Sequence, residues 1–248
     1  MQLFRATALA AAAAATVLAV GACGSSRTVH DQHSFRFAGT RLIVDVDSSD
    51  LRLVPGTGPG IQVQRWLSGT AAGPGHASWM LDGGTLRLSV DCTGIVIHCG
   101  SAFQVAVPPG VAVAVHSGSG TDTVSGLPGP VTITGGSGEV HVNRVSGPLR
   151  VSTGSGSITG SGLRCPVAQA TSGQGGVDLM FAAAPRLIDV SSGTGNATAR
   201  VPVAGHSYHV RVSSGTGTAS SKVPDDPRGS SVVRVSSGSG NAKVLPAQ

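Results

Sequence analysis

Residues able to do chemistry are few and scattered in this 248-residue chain. Glutamate occurs once, at Glu139, and the aspartates are dispersed. Glycoside hydrolysis needs two carboxylates flanking one bond, about 5–9.5 Å apart, and no such pair stands out. His141 and Asp178 fall in one outward row only if the chain is built from repeats, and then two repeats apart, roughly 9–10 Å. Gly118-Ser-Gly-Thr-Asp122-Thr-Val124 matches the core of calcium-binding repeats. Those repeats need an aspartate in every turn, because calcium takes six to eight oxygens. The aligned residues here are Val140, Ile158, Val177, Ala197, Ala219 and Ala242, so Asp122 reads as a turn residue and calcium stacking is excluded. His30-x-x-His33 and His206-x-Tyr-His209 lack carboxylate or cysteine support, so no metal and no cofactor is expected. A G-x-S-x-G elbow is missing, and the Gly-x-Gly runs precede no helix, which removes the hydrolase and nucleotide-loop readings.

Glycine and proline make up about a fifth of the chain, charged residues 12% and aromatics 3%, with 40% hydrophobic. The charge is too sparse for disorder, and the apolar share is enough to bury a core. Gly, Ser, Thr and Val dominate over helix formers, which points to an all-β protein.

The glycines are ordered. A Gly-x-Gly pair recurs at 118/120, 136/138, 154/156, 173/175, 193/195, 215/217 and 238/240, spaced 18 to 23 residues apart. Five and three positions before each first glycine stand Val113/Val115, Val131/Ile133, Leu149/Val151, Ala168/Ala170, Ile188/Val190, Val210/Val212 and Val233/Val235. Such alternation is the mark of a half-buried strand. A second short strand follows each pair, with inward candidates such as Asp122/Val124, Val140/Val142 and Ala197/Ala199. Glycine suits the corners because it reaches positive φ freely, and the neighbouring Ser and Thr hydroxyls can bond stacked backbone. The expected architecture is a single β-solenoid of the parallel β-helix kind, with an antiparallel β-meander or sandwich as the alternative. The small inward residues suit a thin, two-walled core. Residues 34–112 read as a degenerate form of the same strands, whose Phe35, Phe37, Trp66, Trp79 and Phe103 close the end of the stack. Residues 113–248 form the seven-coil region.

The N-terminus reads as an export signal over 1–22: Arg5, an apolar run from Ala6 to Val20, then Val20-Gly21-Ala22-Cys23. This resembles the bacterial lipobox, with valine where leucine is usual, and implies an acyl-modified (palmitate-type) Cys23 followed by a tether over 23–33. Acyl chains contribute about 0.8 kcal/mol per buried CH₂, enough for a lasting anchor in membrane lipid. An exported chain can keep disulfides. Cys92 and Cys99, flanking six residues, are the chosen pair among three possible ones, leaving Cys165 as a buried free thiol. The net charge of +5 comes mostly from isolated arginines. That suits anionic headgroups or acidic wall polymers and gives no support for nucleic acid.

The stretches "LIVDVDSSDLRLVPG", "FQVAVPPGV", "LRVSTGSGSITG", "VRVSSGTGTA" and "VRVSSGSGNAKV" resemble a bacterial β-strand-repeat family of unknown function, whose members are commonly called adhesins or adhesin-head-like. The resemblance spans about residues 34–245. It implies a solenoid and a cell-envelope location and supplies no catalytic residues. The expected role is therefore a membrane-anchored, extracytoplasmic, non-enzymatic interaction or scaffold module, with wall polymers or another envelope protein as partner and no small-molecule substrate. A polysaccharide-acting β-helix enzyme and an envelope-stress signalling accessory are the alternatives. Extra residues gather near Pro202–Tyr208 and Val223–Gly229, so Arg200, Tyr208, Arg211 and Arg234 are the candidate surface contacts.

Overall fold

A computed structural model describes residues 28–93 and 98–247. Residues 1–22, read from the sequence as an export signal, and Cys23 lie outside the described residues. Among those described there is no α-helix; twenty-one strands form two sheets, with one 3₁₀ turn at Thr70–Ala72. Each Gly-x-Gly repeat places one strand in each sheet, and equivalent strands of neighbouring repeats pair in parallel.

In the first sheet the order is β1 (Thr28–Phe35), β4 (Ile61–Gly69), β7 (Cys99–Val107), β3 (Asp50–Pro55), β9 (Asp122–Ser125), β11 (Val140–Asn143), β13 (Ile158–Leu163), β15 (Val177–Phe181), β17 (Ala197–Val201), β21 (Ala242–Pro246) and β19 (Ala219–Ser221). The second sheet runs β18 (Tyr208–Thr216), β20 (Ser231–Ser239), β16 (Leu187–Thr194), β14 (Val167–Ser172), β12 (Leu149–Thr153), β10 (Val131–Gly135), β8 (Ala112–Ser117), β2 (Arg41–Val46), β6 (Thr85–Val90) and β5 (Ala77–Asp82). Antiparallel pairing is confined to β1–β4, β4–β7 and β5–β6. β1 takes in residues 28–33, which the sequence assigned to the tether.

The inner faces of both sheets share one core. Twelve of the fourteen alternating positions before the glycines are buried; Val210 and Val212 are half-buried. Those two mark a departure from sequence order at the C-terminal end. The Gly238 repeat, last in the chain, inserts between the Gly193 and Gly215 repeats, so β20 pairs with β16 on one side and β18 on the other. The Gly215 repeat is thereby outermost, and Ala219 and Ser221, inward positions by pattern, are exposed. Side-chain chemistry at the corner fits this order. Asn241 donates its backbone N–H to Asn196 Oδ1 (2.9 Å), and Asn241 Oδ1 accepts from the Thr218 N–H (3.0 Å). An asparagine in the middle repeat thus bonds both neighbours, which Thr218 in that place would not reproduce.

The corner glycines also have a different cause from the one the sequence suggested. Of the fourteen, only Gly195, Gly217 and Gly240 have positive φ. The others are required by close approach: a Cβ on Gly136 would lie 2.5 Å from the Gly118 carbonyl oxygen, and one on Gly154 2.9 Å from that of Gly136. Such distances are far below van der Waals contact. The backbones are that close because they hydrogen-bond from one repeat to the next, as in Gly136 N–H to Gly118 O (3.0 Å) and Gly154 N–H to Gly136 O (2.9 Å). Inward hydroxyls complete the corner: Ser172, Ser192 and Ser237 each donate to a glycine carbonyl at 2.8 Å. These bonds satisfy carbonyls that the tight turn removes from water.

The other end is closed by bulk. Arg65 lies 4.1 Å over the Trp79 ring, donates to Asp31 and reaches the Ala77 carbonyl (3.1 Å), tying the two sheets together. His33 packs against Phe35 and Trp79. Phe35 and Trp79 therefore do close the stack as expected, and Phe103 is buried in the core. Trp66 does not: it faces outward and is 39% exposed. A disulfide joins Cys92 to Cys99, and Cys165 is a buried free thiol whose pKa burial pushes up to about 11.

Candidate binding surface

With one core and two outward faces, any recognition site has to be assembled from the ladders of side chains that the parallel register stacks. On the second sheet one such ladder runs Asp45, His116, Thr134, Ser152, Thr171, Ser191, Ser236 and Ser213. Beside it runs Ala114, Thr132, Arg150, Gln169, Asp189, Arg234 and Arg211. On the first sheet the corresponding ladder is Gln32, Gln64, Gln104, Arg52, Thr123, His141, Thr159, Asp178, Thr198 and Lys243.

The four arginine and tyrosine candidates do not form one surface. Arg211 and Arg234 are cross-strand neighbours on the second sheet, both exposed, with Asp189 beside Arg234. Arg211 donates to His209 (3.0 Å), whose other ring nitrogen lies 3.2 Å from Asp225. Arg200 stands on the opposite sheet and is ion-paired with Asp178. Tyr208 is not a contact residue. It is 1% exposed, its hydroxyl donates to the Pro202 carbonyl (2.6 Å), and burial raises its pKa. The extra residues around it serve the core and the sheet edge: Val223 is buried, and Asp225 accepts from the Val210 N–H (2.8 Å), covering the free side of β18.

The sequence-level catalytic and metal candidates separate as well. Strand alternation puts His30 outward and His33 inward, so they cannot share an ion. His141 bonds Thr159 (2.6 Å) and lies 3.3 Å from Glu139, while Asp178 is taken by Arg200. Among the described residues no three His, Cys, Asp or Glu side chains converge. Asp122 is not a turn residue but the first inward position of β9, 1% exposed, accepting from Ser117, with its other oxygen unpartnered. Burial, reinforced by the nearby Asp50 charge, pushes its pKa up to about 6 despite the Ser117 bond.

A concave site lies where the regular ladders end. On the outer face of the first sheet, a groove of about 520 Å³ is walled by Trp66, Asp50, Arg52, Gln104, Thr121 and Thr123, with Ala102 at its floor. Trp66, Ala102 and Asp50 are cross-strand neighbours in one row, and Gln64, Gln104, Arg52 and Thr123 form the next. His30, on the far side of Trp66, stacks on the indole at 4.8 Å with planes 10° apart. Asp50 is exposed and accepts the Thr121 N–H through Oδ1 (2.9 Å). A signal for this site was present: in Ile61-Gln-Val-Gln-Arg-Trp66-Leu, Trp66 shares parity with Gln62 and Gln64, the polar positions. Composition alone had grouped it with the inward aromatics.

No family model matches the sequence, and no curated protein does. Solved structures do match. A protein described as a putative cell adhesion protein from Clostridium sporogenes aligns over 89% of this chain and 100% of its own, at 10% identity and TM-score 0.46. A putative adhesin from Bacteroides fragilis aligns over 88% and 96%, at 14% identity and TM-score 0.48. One from Parabacteroides distasonis aligns over 90% and 98%, at 11% identity and TM-score 0.46. At this level of likeness no activity passes from them to this chain.

Proposed function

We propose that the chain is a lipid-anchored, extracytoplasmic lipoprotein of the β-strand-repeat type that works without catalysis, as an adhesin-like interaction module of the cell envelope. One observation carries the non-enzymatic reading. Several of the groups that could act as acid or base are paired along the sheet faces, as in Arg200 with Asp178, His116 with Asp45 and Arg65 with Asp31. Those left over, such as Asp50 and Asp122, join no cluster of three His, Cys, Asp or Glu side chains among the described residues. What the two sheets offer instead is long, regularly spaced rows of hydroxyl, amide and charged groups, the kind of surface that binds an extended partner. The lipobox-like Val20–Cys23 supports the anchor, with membrane lipid as its partner. Wall polymers or another envelope protein are the partners that a weakly basic, low-charge surface suits.

The mature chain displayed on beads is expected to bind purified envelope or whole cells saturably and to release no sugar from a glycan panel. Failure to bind any such surface would overturn the reading. Turnover that disappears in Glu139→Gln would replace it with the enzyme. The anchor is tested separately by fatty-acid labelling, which is expected to be lost in Cys23→Ala.

A further inference from the structure

Resting on that reading, we propose that the Trp66 groove is a carbohydrate-binding site, in which one pyranose ring stacks on the exposed face of Trp66 and its hydroxyls bond Asp50, Arg52 and Gln104. Three features favour a sugar over other ligands.

The first is the slot. β1 and β7 flank β4 on opposite sides, so His30 backs one face of the indole while the other looks across Ala102. Trp66 and Asp50 stand two strand spacings apart, about 9.5 Å, with only a methyl group between them. That gap accepts one saturated ring at stacking distance from Trp66 and leaves Asp50 within reach of its edge. The second is the polar rim. Arg52 is exposed and Gln104 half-buried, and neither side chain has a hydrogen-bond partner among the described residues; Asp50 uses one carboxylate oxygen on Thr121 and leaves the other free. Guanidinium, amide and carboxylate groups are planar and bidentate, which suits pairs of vicinal hydroxyls. The third is charge. Asp50 and Arg52 offset each other, so the groove suits a neutral ligand better than a phosphate or an acidic peptide. An aromatic platform with a few convergent polar groups is the general form of a small-ligand site, and a shallow, open one suits a chain of sugars continuing along the face past Thr121 and Thr123.

The chain contains two tryptophans, and Trp79 packs against the core at the closed end. This allows a site-specific readout: indole N–H resonances in a titration with soluble tetrasaccharides of β-1,4-linked glucose, β-1,4-linked N-acetylglucosamine and α-linked mannose. The expected result is a saturable shift of the Trp66 signal, with Trp79 unmoved, for at least one sugar. Binding should weaken at least tenfold in Arg52→Ala and be lost in Trp66→Ala. Ala102→Leu, which fills the slot and keeps the indole, should abolish binding with no change in melting temperature, so that a fold defect in Trp66→Ala cannot stand in for the result. A titration in which no sugar moves Trp66, or binding that survives Ala102→Leu, would overturn the carbohydrate site. If coated beads still adhered to envelope, the broader reading would stand; if they did not, both would fall.

Discussion

The two ends of the molecule solve the same problem with opposite means. In the Gly-x-Gly stack, neighbouring repeats approach so closely that backbone carbonyls occupy the space a Cβ would need, and small hydroxyls fill what remains. At the N-terminal end the strands turn antiparallel, and large side chains bridge the sheets, with Arg65 and His33 both packed against Trp79. The regular region gains a continuous core and gives up variety, since its outward faces are flat ladders. The irregular region loses repeat symmetry and gains relief: it is where a bulky Trp66 and a small Ala102 can stand side by side to make a groove. Regularity builds the scaffold, and its interruption leaves room for a ligand.

The largest effect that would break this comparison lies at the corners. Gly156→Val puts a side chain onto the Gly138 carbonyl and should abolish cooperative folding in chemical denaturation, whereas Gly58→Ala, with open space around it and no positive φ, should change stability by no more than about 1 kcal/mol. Next comes the inverted order of the last repeats. Val233 and Val210 hold equivalent positions, but only Val233 is fully buried. Val233→Ala should therefore cost about 2 kcal/mol in urea melts and Val210→Ala less than about 1. Equal costs, or the reverse ranking, would argue for sequence-order stacking.

Asp122 sharpens the contrast within the first regular repeat, where a carboxyl occupies a core row otherwise held by Val140 and Ile158. Its folded-state pKa, about 6, lies above the ordinary 3.8. The fold thus prefers the protonated form, and that contribution is complete below about pH 4 and is lost as pH rises through 6. Between pH 4.5 and 7.5 the wild type should lose roughly 2 kcal/mol from this group. Asp122→Asn should flatten that part of the pH–stability curve; an unchanged slope would place the ionised carboxylate comfortably in the core. The smallest effect is expected for Arg200→Ala. Its ion pair with Asp178 is a third or more exposed, so stability should move by less than about 1 kcal/mol and envelope binding should not change.

Much of this was legible in the residues. The alternation before each glycine pair marked the strands, because a period of two on a half-buried sheet leaves little freedom, and twelve of those fourteen positions are core. The spacing of Cys92 and Cys99 indicated their bond. The order of the last two repeats was not legible: VRVSSGTGTA and VRVSSGSGNA carry nearly the same pattern, and what separates them is one side-chain amide, Asn241 against Thr218. Tyr208 was misread because a polar aromatic in an extended loop looks exposed until the Pro202 carbonyl that satisfies its hydroxyl is placed. Trp66 was misread in the other direction. Its parity with Gln62 and Gln64 was visible, but the antiparallel β1–β4–β7 arrangement that turns an outward tryptophan into a groove wall depends on pairing Trp66 with His30 and with Ala102, each 36 residues away in sequence.

The central claim is that the stack is scaffold and its irregular end recognises the partner. It is tested most directly by comparing envelope binding of beads carrying the wild-type chain, Ala102→Leu, and the double variant Arg211→Ala with Arg234→Ala. The expected result is loss of binding in Ala102→Leu alone, with the arginine variant retaining it. Loss in the arginine variant with full binding in Ala102→Leu would contradict the claim and move recognition onto the regular face of the stack.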